Sequence, residues 1–115
     1  MHELGIASSI VDALRAEAEA RPGTRLRAVG LRVGEVSGVN PDALDFCFQS
    51  LVKGTDLEPI GLEIERSARR HRCPKCSREF EVIEYDPTCP GCGEFHTVLI
   101  GGDEMDIVYL EVEDK

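Results

Sequence analysis

Cys73-Pro74-Lys75-Cys76 and Cys89-Pro90-Gly91-Cys92 together spell C-x2-C-x12-C-x2-C. Two residues between cysteines put both sulfurs on one side of a tight knuckle, where backbone N–H groups can also donate to the thiolates. Two such knuckles close a tetrahedral four-sulfur site, the arrangement zinc adopts when protein fills every position. Pro74 and Pro90 preset the turns, and Gly91 and Gly93 allow unusual backbone angles. A closed site leaves no place for water or substrate, so these cysteines read as a structural staple. A rubredoxin-like iron site uses the same spacing and stays open as an alternative. A module of roughly thirty residues buries little core, so metal binding supplies most of its folding free energy.

Around the knuckles the chain concentrates its positive charge, at Arg66, Arg69, Arg70, Arg72 and Lys75. Of these, Arg70, Arg72 and Lys75, together with Arg78, can offset the negative charge that four thiolates leave on Zn2+. His71 and His96 flank the module and are expected at the surface, with exchange onto a metal as the functional alternative. The fifth cysteine, Cys47, lies between Phe46 and Phe48 and reads as a small core hydrophobe.

Further out, the pattern becomes regular. Ala7, Ile10, Val11, Leu14 and Ala18 recur on one face of an amphipathic helix from Leu4 to Ala20, which Arg21-Pro22-Gly23 stops. Val29, Leu31 and Val33 alternate in a strand over 25–36. Asn40 as N-cap and Pro41 at the first helical position open a second helix carrying Leu44, Phe48, Leu51 and Val52, and Lys53-Gly54 closes it. Ile60, Leu62 and Ile64 mark another strand, and Val108, Leu110 and Val112 a last one over Asp106–Val112. Everything from Ser67 to about Gly102 is an insertion between these two strands. The expected fold is α+β: two helices packed on a small mixed β-sheet, with an inserted zinc-ribbon-like domain. Long hinges around the insertion would be compatible with helix exchange in a homodimer.

Composition narrows the function. The 115 residues carry 13 basic and 22 acidic side chains, a net charge of -9, which disfavours a nucleic-acid partner. Aromatic residues are few and Trp is absent, so a base-stacking platform is not expected either. No apolar run approaches the roughly 20 residues needed to span a bilayer, and no signal peptide precedes the first helix, so a cytoplasmic protein without membrane contact is expected. An odd cysteine count in that setting does not read as a disulfide framework. No nucleophile–base motif and no phosphate-binding glycine loop is present, so the chain does not read as an enzyme.

The N-terminus has chemical content of its own. The amine of Met1, the amide nitrogen of His2 and the His2 imidazole can form fused chelate rings around one ion, a nitrogen set suited to square-planar Ni2+ or Cu2+. The Glu3 carboxylate can complete or alter that set.

Met1-His2-Glu3-Leu4, Ser8-Ser9-Ile10-Val11, Leu31-Arg32-Val33-Gly34-Glu35, the paired Cys-Pro-x-Cys knuckles and Gly101-Gly102-Asp103-Glu104-Met105 occur in this order. Together they closely resemble the HypA/HybF family of hydrogenase nickel-incorporation proteins, over essentially the whole chain. The resemblance implies a nickel metallochaperone that delivers Ni2+, with a GTPase of the HypB type, to the large-subunit precursor of a NiFe-hydrogenase. It implies His2 as principal nickel ligand with Glu3 supporting, and Cys73, Cys76, Cys89 and Cys92 as ligands of a structural Zn2+. It also implies a discontinuous nickel domain, 1–67 plus 102–115, interrupted by a zinc domain over 68–101. Two departures matter. Some members have an acidic residue where this chain has Asn40, a good N-cap and a poor ligand, so Asn40 has no expected nickel role. Some place histidine directly after each knuckle, where this chain has Ser77 and Gly93, which removes the residues for a pH-linked Cys/His exchange. The alternative is a zinc-ribbon interaction or regulatory module without nickel, for which His2 is dispensable.

Overall fold

A computed structural model describes residues 2–115. Helix α1 (Glu3–Ala20) buries Ile6, Ala7, Ile10, Val11 and Leu14. It ends where Thr24 donates its hydroxyl to the Arg21 carbonyl and Gly23 turns the chain at a φ of 84°. Strand β1 (Thr24–Gly34) follows, and its Leu26, Val29, Leu31 and Val33 are buried. The Asn40 side chain then accepts a hydrogen bond from the Ala43 N–H at 3.1 Å, the expected cap, and opens α2 (Pro41–Val52). Leu44, Phe48 and Val52 are fully enclosed, each worth about 1.5–3 kcal/mol of burial. Cys47 is half-buried at the rim of this core, whereas its neighbour Phe46 stands exposed.

Helix α2 serves as the crossover that lets β2 (Gly61–Ser67) pair parallel with β1, from Ala28↔Gly61 to Gly34↔Ser67. The last strand, β6 (Met105–Asp114), runs antiparallel along the other side of β1, from Thr24↔Asp114 to Val33↔Met105. The sheet order is therefore β2-β1-β6, with both strands that flank the insertion lying against β1 and not against each other. The helices pack on one face and on one another, and α1 leans on β1 while standing off from β6. On the opposite face the Tyr109 ring lies over Gly30, where any added Cβ would overlap it.

The insertion forms a second three-stranded sheet with a separate small core. Its strands are β3 (Arg70–Arg72), β4 (Glu79–Glu81) and β5 (Val98–Gly101), in the order β4-β3-β5 and antiparallel throughout. The whole molecule is long and narrow, 56 × 24 × 16 Å.

The long hinges expected from the sequence are absent. Only Ala68 and Arg69 lie between β2 and β3, and only Gly102, Asp103 and Glu104 between β5 and β6. The residues ending β1 tie both crossings down: Gly34 N–H donates to the Glu104 carbonyl at 2.7 Å, Glu35 N–H to Ser67 at 2.8 Å and Val36 N–H to Gly102 at 2.7 Å. The Glu35 carboxylate accepts from the Arg69 N–H at 3.1 Å. The Glu104 carboxylate accepts from the Gly102 N–H at 2.6 Å and the Ser67 hydroxyl at 3.2 Å.

Its own backbone N–H and that of Gly102, with the Ser67 hydroxyl and Arg32, hold the Glu104 carboxyl below its ordinary 4.5. A depressed carboxyl adds stability above its ordinary value and loses it as pH falls through the lower folded value. The stability difference between the native chain and Glu104→Gln in urea unfolding is therefore expected to be full near neutrality. It should vanish in strong acid; a difference constant with pH would show that the charge is irrelevant.

Candidate metal centre

The two knuckles repeat one hydrogen-bond pattern. Ser77 N–H donates to the Cys73 carbonyl at 2.8 Å and Gly93 N–H to the Cys89 carbonyl at 3.0 Å. Cys73 N–H donates in turn to Arg78 and Cys89 N–H to Glu94, both at 2.8 Å. The residue after each knuckle takes a left-handed conformation, Gly93 at a φ of 81° and Ser77 at 65°. A side chain at such an angle is uncommon outside Gly, Asn and Asp, so the turn at Ser77 is imposed by the knuckle. Aligning the two Cys-Pro-x-Cys repeats would have revealed it from the sequence, because Gly93 marks the angle.

The repeats bring the four sulfurs within 4.8 Å of one another. Cys73 and Cys92 Sγ are 3.5 Å apart, and Cys76 and Cys89 Sγ 3.6 Å. A tetrahedron of Zn–S bonds of about 2.3 Å has edges of about 3.8 Å, so the donor set fits zinc. The Gly91 N–H points at Cys89 Sγ from 3.4 Å. The Cys92 N–H, with those of Gly91 and the neighbouring thiols, brings the Cys89 thiol down to about 6. At Cys92 the Glu94 N–H likewise pulls the thiol down, but the adjacent thiols and burial outweigh it and push it up to about 11. Four thiols this close cannot all ionise beside one another, and a central dication removes that restriction.

Of the basic residues expected to offset the thiolates, Arg78 runs across the Gly91 backbone beside Cys89. Lys75 is committed first to Glu94, at 2.8 Å, and only then to the Cys92 and Cys73 sulfurs. That ion pair, with the His96 and Phe95 N–H groups, holds the Glu94 carboxyl down to about 2.

His71 departs from expectation. It is buried, in the central strand of the second sheet, with both ring nitrogens engaged. Thr97 donates its hydroxyl to the Pro87 carbonyl at 2.7 Å, so His71 Nδ1, 2.8 Å from the same oxygen, must be the donor there. His71 Nε2 then accepts from Arg69 Nε at 3.0 Å. Burial and the Arg69 charge both lower its pKa, which keeps the ring neutral. His71 thus braces β3 against the following loops. His96 is exposed, as expected, and packs against Phe95 with ring centroids 4.3 Å apart.

His2 is exposed and occupies the N-cap of α1 in an extended conformation, with no side-chain cap hydrogen bond. Glu3 begins the helix, half-buried. Among the described residues no further His, Cys, Asp or Glu joins this pair in a metal-holding group. The expected contribution of the Met1 amine lies outside the described residues.

Comparison with known proteins bears on this arrangement. A family model described as "Hydrogenase/urease nickel incorporation, metallochaperone, hypA" matches residues 1–112. A protein named hydrogenase maturation factor HypA from Geobacter metallireducens is 41% identical over 113 residues, covering 98% of this chain and 100% of its own. The protein of that name from Streptomyces avermitilis is 40% identical over 116 residues, covering 99% of this chain and 88% of its own. Among solved structures, the Ni metallochaperone HypA from Helicobacter pylori superposes with a TM-score of 0.68 over the full length of both chains, at 21% identity. A solution structure of another HypA protein gives 0.75, at 20% identity and covering 100% of this chain and 98% of that one.

Proposed function

This chain belongs to the HypA family of hydrogenase and urease nickel-incorporation metallochaperones, and on that premise we propose that it carries Ni2+ at its N-terminus for NiFe-hydrogenase maturation. The observation that carries the proposal is the uncapped first turn of α1. The opening N–H groups of a helix have no intrahelical partner, and the His2 side chain leaves them free. The His2 imidazole and the nearby amide nitrogens are therefore available together, the nitrogen donors that suit square-planar nickel. Glu3 is placed to support them.

Such a site is built to let go. The positive end of the helix dipole opposes a bound cation by about 0.3–1 kcal/mol, and few side chains hold the ion. In this reading the recipient is the hydrogenase large-subunit precursor, with a HypB-type GTPase assisting, in the cytoplasm. The chain acts as a carrier and not as a catalyst.

Cys73, Cys76, Cys89 and Cys92 would hold a structural Zn2+, which supplies cross-linking and no open coordination position. The two separate sheets and cores support a nickel unit of 1–67 plus 102–115 and a zinc unit of 68–101.

Calorimetric titration of Ni2+ into untagged, zinc-loaded protein tests the reading. About one nickel per chain is expected, with His2→Ala losing nickel while keeping zinc. Equal binding by both proteins, or by neither, would sink it. The zinc-ribbon interaction module would then be favoured, with the exposed Tyr85 and Phe95 as its contacts.

A further inference from the structure

Strand β6 is an edge. Among the described residues it pairs with β1 on one side and with no strand on the other, so half of its N–H and C=O groups face outward, a ready template for another strand. An open groove of about 450 Å³ runs between this edge and α1, lined by Ile6, Ser9, Ile10, Met105, Asp106 and Ile107.

The register gives the two faces of the edge opposite characters. Met105, Ile107, Leu110 and Val112 lie opposite Val33, Leu31, Val29 and Leu26 of β1, on the helix side. Asp106, Glu111 and Glu113 lie opposite Arg32, Ala28 and Arg25, on the side that no helix covers. All three carboxylates are exposed.

We propose that the free edge of β6 docks an extended segment of a partner protein whose side chains alternate between apolar and basic. Its apolar side chains would enter the groove beside α1. Its basic ones would stand beside Asp106 and Glu111, Glu113 being paired already with Arg25 at 3.8 Å, and its backbone would extend the sheet. A second copy of this chain is the wrong occupant. Its β6 would bring the same carboxylates to the same face, and like charges across a strand pair repel. A bulge at Val108, which the register skips between Ile107 and Tyr109, also twists the edge and favours a short partner over a long self-pairing.

The docking surface stands on β6 and α1 alone, whereas its use in cargo transfer rests on the nickel reading. The groove residue Ile6 donates its N–H to the His2 carbonyl at 3.2 Å, so a docked segment would lie within one helical turn of His2.

The probe is a labelled synthetic peptide of about eight residues, alternating valine with lysine or arginine and added to zinc-loaded full-length protein. Controls are a peptide of the same composition with valines and basic residues in separate blocks, and one with glutamate in the basic positions. The alternating basic peptide is expected to bind and to slow hydrogen exchange along β6 but not along β2. The double variant Asp106→Lys, Glu111→Lys should weaken it by about tenfold and take up the glutamate peptide instead. Equal binding of the block peptide, protection at β2 in place of β6, or a stable dimer joined through β6 would each overturn the proposal. Nickel titration of the same double variant should be unchanged, which separates failure of the docking surface from failure of the nickel site.

Discussion

Replacing Cys73 with serine is expected to abolish zinc binding and unfold the chain between Ser67 and Gly102, leaving the helices in place. The second sheet has almost nothing else to hold it. Its buried residues besides Cys73 and Cys89 are His71, Phe80 and Val82, and its strands are only three or four residues long. Structural zinc contributes about 10–16 kcal/mol in small zinc-bound peptides, far more than two buried apolar side chains at about 1.5–3 kcal/mol each. Serine offers a hydroxyl in place of a thiolate at a position with no solvent exposure. Zinc content by mass spectrometry should fall from about one per chain to near zero. In amide spectra, resonances of β3, β4 and β5 should collapse while those of α1 and α2 persist. Retention of a well-dispersed spectrum for β3 without zinc would show that the strands, and not the metal, define this unit.

Gly34→Ala is expected to break the junction. A Cβ there would overlap the Gly102 carbonyl oxygen and carbon. Both are backbone atoms with nowhere to go. Gly102 is itself pinned, with a φ of 102° and the Arg69 Cα 2.6 Å from where its own Cβ would be. The crossing must therefore move away from β1, stretching the Gly34–Glu104 and Val36–Gly102 hydrogen bonds. Overpacking of this kind costs about 1–3 kcal/mol and more where backbone must shift. Urea unfolding should show that loss with zinc content unchanged. Gly61→Ala is the control, because its nearest neighbours at 3.8 and 3.9 Å are ordinary contacts. Equal stability of the two variants would mean that the crossings are looser than their hydrogen bonds suggest.

The parts of the fold that were legible in the sequence are those fixed by local pattern. The apolar spacing of α1, the alternation in β1, and Asn40-Pro41 at the start of α2 all appear where expected. The flanking strands β2 and β6 were legible as strands, and their place on either side of β1 follows from the α2 crossover. The strands of the second sheet were not legible. They are too short to show a period, and the knuckles set their positions. His71 was misjudged as a surface residue because what buries it is remote in sequence, Thr97 lying 26 residues away. The same holds for the junction, where Glu35 reaches Arg69 across 34 residues. Phe46 shows the converse, an aromatic in an amphipathic helix that remains 74% exposed. At the metal centre the ligand spacing was legible, whereas the commitment of Lys75 to Glu94 was not.

The position of β6 would tie the order of assembly to a metal held by the four cysteines. Its partner β1 lies some seventy residues earlier, so the sheet cannot be completed until β6 has been synthesised. Were the intervening segment 68–101 slack, closing it as a loop would cost about 3 kcal/mol. Folded around its ion, that segment returns the chain at Gly102 beside Ser67, with both crossings already hydrogen-bonded to the end of β1. With zinc bound, β6 would therefore meet β1 already in register, whereas without it the strand would have to search for its partner.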